Sequence, residues 1–204
     1  TRSNFEEMRS LKEPITLAIL PGLEHSSEAA VFARDNGMGI VLHLPMEPEA
    51  KTWAREKNTL MAGMGEDDAD FILAVALKTV PYARGVSNHM GSRATGDRTA
   101  SAALMKALKK RGLFFLDSLT TAGSVCREES SLKGVKYYRR DIFLDNQSEI
   151  PYIVSKINEA ADIAIKKGKA VAIGHDRKNT IAALKAALPG LKSRGVKITA
   201  IDGL

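Results

Sequence analysis

The sequence predicts an α/β fold, a (β/α) barrel of six or seven parallel strands in one domain spanning residues 1–204. Three observations lead there. Strand-length apolar runs alternate with helix-length segments along the whole chain. The strand runs are continuously apolar, as in parallel strands covered by helices. Polar, chemistry-bearing residues recur just after nearly every strand, as they would around one barrel mouth, whereas an open doubly wound sheet would gather them at one switch point.

Residues 4–12 read as a short helix with Asn4 as its N-cap. Residues 15–20 (ITLAIL) are a buried strand closed by Pro21–Gly22. Residues 25–36 form a helix capped by Ser26 or Ser27 and stopped by Gly37, and 39–43 are the next strand. Pro45 and Pro48 predict a rigid, irregular loop over 43–48. Residues 49–65 carry little pattern, with Gly63 and Gly65 marking a connection. Helix 66–79 opens on Glu66, Asp67 and Asp68, charges that suit the helix dipole. Strand 83–87, helix 97–111 and strand 113–117 come next. Residues 122–133 are weakly helical, and short strands are expected at 135–138 and within 141–145. A long helix over 149–167, a strand over 170–174, a helix over 179–194 and a last strand over 196–201 complete the pattern.

Composition excludes several classes. Apolar content of 44% and charged content of 26% are those of an ordinary globular chain. The net charge of +6 comes without a Lys/Arg block interleaved with aromatics, so no nucleic-acid partner is expected. The bland alternative is a solvated basic surface, which also suits an anionic polymer. No apolar run reaches the roughly 18 residues that cross a bilayer, and no secretory signal pattern is present. The single cysteine, Cys126, cannot form an internal disulfide, which leaves the redox compartment open. There is no Gly-rich phosphate loop and no Gly-x-Ser-x-Gly elbow, which argues against a nucleotide enzyme or a serine hydrolase. Cys126 lies in a helix-like segment away from any strand end, which argues against a cysteine nucleophile.

The candidate chemistry lies with the histidines. Of the four in the chain, His43, His89 and His175 each come directly after an apolar strand. One such histidine is more often only bonded to a neighbouring backbone group; three at equivalent positions point to a site. His25 starts a helix and reads as a surface or capping residue. A metal-dependent hydrolase needs about three His, Asp or Glu ligands, with an open position for water. A carboxylate then takes the water's proton and a further acid protonates the leaving group. His43 and His89 are the candidate metal ligands, and His175, Asp141 and Asp117 the candidate catalytic groups. Glu47, Asn88, Ser92 and Asp145 are candidate substrate contacts. Asp117 reads equally well as the orienter of a histidine or as an N-cap. Asp141 and Asp145 stand at i and i+4 in a strand, on one face, where either can bind a histidine or an arginine. Trp53 and Tyr82 are the aromatics nearest the expected mouth in sequence; Trp53 suits either sugar stacking or packing under the long loop.

At these residues the chain resembles a known family. LHLPMEP (42–48), GVSNHMGS (85–92), LFFLDS (113–118), RDIFLDN (140–146) and AIGH (172–175) look like the strings of the divergent polysaccharide deacetylases, in order along nearly the whole chain. The resemblance implies the distorted (β/α) barrel of the carbohydrate esterase superfamily. It also implies metal-dependent removal of N- or O-acetyl groups from a polysaccharide or peptidoglycan fragment, usually in the bacterial envelope and hence outside the cytoplasm. Zinc is the default ion for such ligands. By this resemblance His43 matches the first histidine of a metal-binding His-x-x-x-His motif, and Glu47 stands where the second would be. His89 is then expected to supply the missing imidazole, and His175 to be the general acid. Nothing in the chain matches the Asp-Asp-x-Gly motif that gives the superfamily its base, so either the protein lacks that base or, the favoured expectation, the first strand lies upstream of Thr1. Two other readings stand beside this one: an inactive glycan- or partner-binding envelope protein on the same barrel, and a hydrolase of a different amide or phosphoester bond.

Overall fold

The structure, a computed structural model, describes residues 4–50 and 56–204; Trp53 lies outside them. Five parallel strands form the main sheet: β1 (Thr16–Ile19), β2 (Gly39–Met46), β3 (Gly85–Met90), β4 (Phe114–Asp117) and β5 (Tyr137–Arg139). Their spatial order is their chain order. A sheet that only ever adds the next strand has no switch point, which is the topology of a barrel. Two further strands, β6 (Ile142–Phe143) and β7 (Ala172–Ile173), pair in parallel.

One extended segment joins the two sheets. The Arg140 N–H donates to the Asp117 carbonyl on β4, while the Asp141 and Ile142 N–H groups donate to the Val171 carbonyl. Residues 137–143 thus pair with β4 in their first half and with β7 in their second, which bends the wall. At the far edge, the Ile201 N–H donates to Thr16 Oγ1 of β1. No strand forms over 196–201, although Val, Ile and Thr favour one. Ile201 meets a β1 side chain rather than a backbone ladder, and residues 201–203 close in a 3₁₀ turn.

Seven α-helices flank the strands among the described residues: α1 (Phe5–Arg9), α2 (Ser26–Asp35), α3 (Glu66–Thr79), α4 (Arg98–Arg111), α5 (Cys126–Lys133), α6 (Ile150–Lys167) and α7 (Lys178–Ser193). Their ends reflect local chemistry. The Asp97 carboxylate caps α4 through the Ala100 N–H at 2.8 Å and also accepts from the Gly63 N–H. These backbone bonds hold its pKa below the usual carboxylate range. Gly112 ends α4 in the left-handed conformation that glycine adopts without strain. Asn4, expected as a cap, makes no capping bond; its side chain reaches across the fold to the Asp176 carbonyl.

The strands divide the apolar side chains between two layers. Ile40, Leu42, Leu44, Met46, Val86 and Phe115 pack with the helices, whereas Val41, Phe114, Leu116, Tyr138, Val171 and Ile201 fill the interior. A Cβ on Gly85 would lie 2.3 Å from the Phe114 ring, so glycine is what admits Phe114 to the floor of the barrel. Phe114 in turn meets Tyr138 edge-on, with ring centroids 5.2 Å apart.

Two strands run further than the sequence suggests. β2 continues through Pro45 to Met46, in place of the expected loop. β1 pairs with β2 only up to Leu42, so no strand stands opposite the missing N–H of Pro45, and its carbonyl accepts the Leu60 N–H instead. β3 runs to Met90, which places His89 inside the strand rather than in a loop. Met90 at φ 55° and Gly91 at φ 91° then turn the chain away sharply.

Candidate functional site

Alternation along each strand decides what reaches the interior. Val41 faces the interior, so His43 two residues on does too, one layer nearer the C-terminal mouth. On β3 the interior face carries Gly85, Ser87 and then His89, with Ser87 level with His43 and His89 level with Pro45. An apolar floor therefore lies below and imidazoles above.

His43 is partly buried, and its Nδ1 lies 2.8 Å from Ser87 Oγ. Burial, reinforced by the nearby His89 and His175, pushes its pKa from 6.5 down to about 3, so the ring is neutral at physiological pH. The His89 ring stands 5.0 Å from that of His43, tilted by 69°. Its Nε2 is 3.5 Å from Glu56 Oε1, a carboxylate brought in by the long β2–α3 connection.

His175 stands just past β7, with its Nδ1 3.0 Å from Asp145 Oδ1. The His175 main-chain N–H also donates to Asp145 Oδ2, as does the Thr180 hydroxyl. Asp145 has 0% side-chain exposure, while His175 has 53%. Arg177 donates to the Asp145 carbonyl. The Phe143 ring meets the imidazole edge-on at 5.4 Å and carries the Arg140 guanidinium 5.2 Å from its centre.

The other candidates stand elsewhere. Asp145, expected at the substrate, is buried behind His175. Asn88 and Asp117 lie on the helix-facing sides of β3 and β4. Asn88 Oδ1 accepts the Ser118 N–H while its amide donates to the Met90 carbonyl, and the side chain is 1% exposed. Asp117 is fully buried and accepts from the Leu119 N–H, the Ser124 hydroxyl and the Tyr137 hydroxyl. It thus anchors the turn after β4 and caps no helix, since α5 begins only at Cys126. Asp141 and Asp145 do not share a strand, since β6 is only Ile142–Phe143: Asp141 precedes it at the N-terminal end, where its carboxylate accepts the Val171 N–H, and Asp145 lies past its C-terminal end. Glu47 bonds the Ala62 N–H and pairs with Arg93 at 3.1 Å, which anchors the long connection. Ser92 accepts the Glu49 N–H.

Ser87, Glu56, Thr180 and Arg177 escape a sequence reading. Ser87 is a small residue inside the GVSNHMGS string, where the neighbouring histidine and asparagine carry the stronger chemical signal. Glu56 sits in a stretch without periodicity. The turn into α7 carries Arg177 and Thr180 to Asp145, the partner of His175.

The donor chemistry suits a divalent ion: two neighbouring imidazoles, one of them firmly neutral, with a carboxylate beside the other. Among the described residues, though, no three His, Cys, Asp or Glu side chains are drawn up around one point.

The family profile described as divergent polysaccharide deacetylase matches residues 1–204. The chain belongs to that family. As a divergent polysaccharide deacetylase it is 35% identical over 182 residues to the Escherichia coli K12 protein YibQ, a match that covers 89% of the chain and 57% of YibQ. The chain thus spans well under two thirds of that relative's length. Its fold superposes with a TM-score of 0.90 on an uncharacterised protein from Agrobacterium tumefaciens C58, at 22% identity over 100% of this chain and 83% of that one. A family 4 carbohydrate esterase from Streptomyces lividans, in complex with acetate, superposes with a TM-score of 0.52 at 16% identity, covering 97% and 84% of the two chains. A family 4 pseudoenzyme from Bacillus anthracis gives 0.52 at 13% identity, covering 99% and 60%. At these identities the three structures establish the fold alone. This deacetylase-family chain accordingly has the α/β architecture of the family 4 esterases, with its parallel sheet and flanking helices.

Proposed function

We propose that this chain carries the catalytic centre of a metal-dependent deacetylase acting on an acetylated polysaccharide or peptidoglycan fragment outside the cytoplasm. One observation carries the reading: the His43 and His89 rings lie side by side above an apolar floor, His175 stands near enough to add to the lowering of the His43 pKa, and a buried carboxylate backs His175. Family membership and the fold shared with an acetate-bound esterase support the choice of bond.

His43 and His89 would hold the ion, zinc by default. When bound, such an ion acidifies water and polarises the acetyl carbonyl. The chain's own residues account for the proton given to the leaving group. Asp145 accepts from Nδ1 of His175, which leaves Nε2 as the atom that gives a proton to the departing nitrogen or oxygen. The buried carboxylate holds the ring in place through Nδ1. Phe143 packs against the ring and restricts its swing. Asp117 and Asp141, consumed by backbone and hydroxyl bonds, keep the β4 and β7 ends in place.

The test is acetate release from acetylated chitooligosaccharides and peptidoglycan fragments by the full-length protein, with and without chelator. Chelator-sensitive release supports the proposal; no release on any of them from folded, zinc-supplied protein contradicts it.

The second reading is a glycan-binding protein without turnover. It is favoured by the lack of three converging ligands among the described residues and by the pseudoenzyme that shares the fold. Glycan binding that survives His43→Ala and His89→Ala, without stoichiometric metal, would support it.

A further inference from the structure

We propose that Ser87 is a positioning residue that fixes His43 as the tautomer protonated at Nδ1, leaving the Nε2 lone pair free toward the mouth. The proposal deepens the reading above, in which His43 is a metal ligand.

Ser87 sits in the middle of β3, 1% exposed, directly across the β2–β3 ladder from His43. Its hydroxyl lies 2.8 Å from His43 Nδ1, the one side-chain hydrogen bond the imidazole makes among the described residues. A neutral imidazole carries a single N–H, and the partner of one ring nitrogen decides what the other presents. Where Nδ1–H is given to the Ser87 oxygen inside the barrel, rather than the hydroxyl to a bare Nδ1, Nε2 keeps its lone pair. The same device recurs at His175, whose Nδ1 is also held from within, there by Asp145. Each histidine is thus anchored through Nδ1 by a buried oxygen. Buried partners of this kind orient metal-binding imidazoles, and their loss typically weakens ion binding about 10- to 100-fold.

The strand geometry explains why a serine serves. The position points into the interior one layer above Gly85 and Phe114, level with Leu116. A larger side chain would displace the histidine ring, and alanine would leave Nδ1 facing apolar neighbours.

The experiment is ¹⁵N NMR of the histidine rings in full-length, chelator-treated protein at neutral pH, comparing wild type with Ser87→Ala. The expected wild-type spectrum shows His43 with a protonated Nδ1 and a bare Nε2. In Ser87→Ala the His43 signals shift toward the opposite tautomer or a mixture, while those of His175 stay in place. A wild-type His43 protonated at Nε2 overturns the proposal, as does a tautomer unchanged by the substitution. Zinc titration of the same samples tests the ligand reading separately. A 10- to 100-fold weaker zinc affinity in Ser87→Ala supports the role of Ser87 at the ion. Absence of zinc binding to wild type removes His43 as a ligand without altering the tautomer result.

Discussion

Asp145 accepts two hydrogen bonds from one residue, His175: from its main-chain N–H and from its imidazole Nδ1. Fixing the backbone and the ring together leaves the imidazole little freedom. The carboxylate is fully buried while the ring reaches solvent, so the pair is rigid at its base and open at its tip. We predict that Asp145→Asn lowers kcat for deacetylation by about 10²-fold with a far smaller change in KM, because the ring loses the carboxylate that holds its Nδ1. Steady-state kinetics on an acetylated oligosaccharide check this. Asp145→Ala should also lower stability by about 2–3 kcal/mol in urea unfolding, since the Thr180 hydroxyl and the His175 N–H lose a buried acceptor.

Asp117 gives the opposite pattern. Its carboxylate serves the Leu119 N–H and the hydroxyls of Ser124 and Tyr137 on the helix side of β4. Burial, and then the Asp117 charge, push the Tyr137 pKa upward and keep the phenol a donor. Asp117→Asn is expected to cost about 1–3 kcal/mol in urea unfolding while activity per folded molecule stays near wild type. A large loss of kcat at unchanged stability would instead give Asp117 a part in the chemistry.

The neutral state of His43 has a pH signature. An unfolded imidazole takes up its proton near 6.5, whereas the folded one resists down to about 3. Between those values the unfolded chain binds more protons, so stability rises with pH and falls on acidification through that window. In chelator-treated protein the wild type should lose on the order of 1–2 kcal/mol more than His43→Asn between pH 7 and pH 4.5. Urea midpoints at the two pH values measure the difference; equal losses would show that His43 titrates normally.

Cys126 is buried, and burial pushes its pKa up to about 11. At pH 8 only about one thiol in a thousand is then ionised. A disulfide reagent should leave native protein unlabelled and react with one thiol per chain in denaturant. Rapid labelling of the native state would contradict this burial.

Much of this arrangement is legible in the sequence, for identifiable reasons. His43, His89 and His175 stand out because parallel strands are read as apolar runs and a barrel gathers the residues at their C-terminal ends. Family strings then place them in one order. The reading weakens where a residue's role depends on direction rather than position. Asp141 and Asp145 flank the two-residue strand β6 at opposite ends, and only the one past its C-terminal end reaches a histidine. Asn88 adjoins His89 in sequence and faces the opposite layer, which is the period-2 rule applied to a strand longer than expected. Pro45 masks the continuation of β2, because the position where a proline is tolerated depends on where β1 stops pairing. The strand expected over 196–201 has the right residues but finds no ladder. Ser87 and Glu56 acquire meaning only through their contacts across the fold.

The most direct measurement is acetate release from an acetylated glycan by full-length protein, run in parallel for wild type, His175→Ala and His43→Ala with zinc supplied and with chelator. Convergence of the histidines into one hydrolytic centre predicts release by zinc-supplied wild type, loss of that release on chelation, and a drop of about 10²-fold or more in each variant. Release that persists undiminished in both folded variants, or none from zinc-supplied wild type on any acetylated glycan, would contradict it.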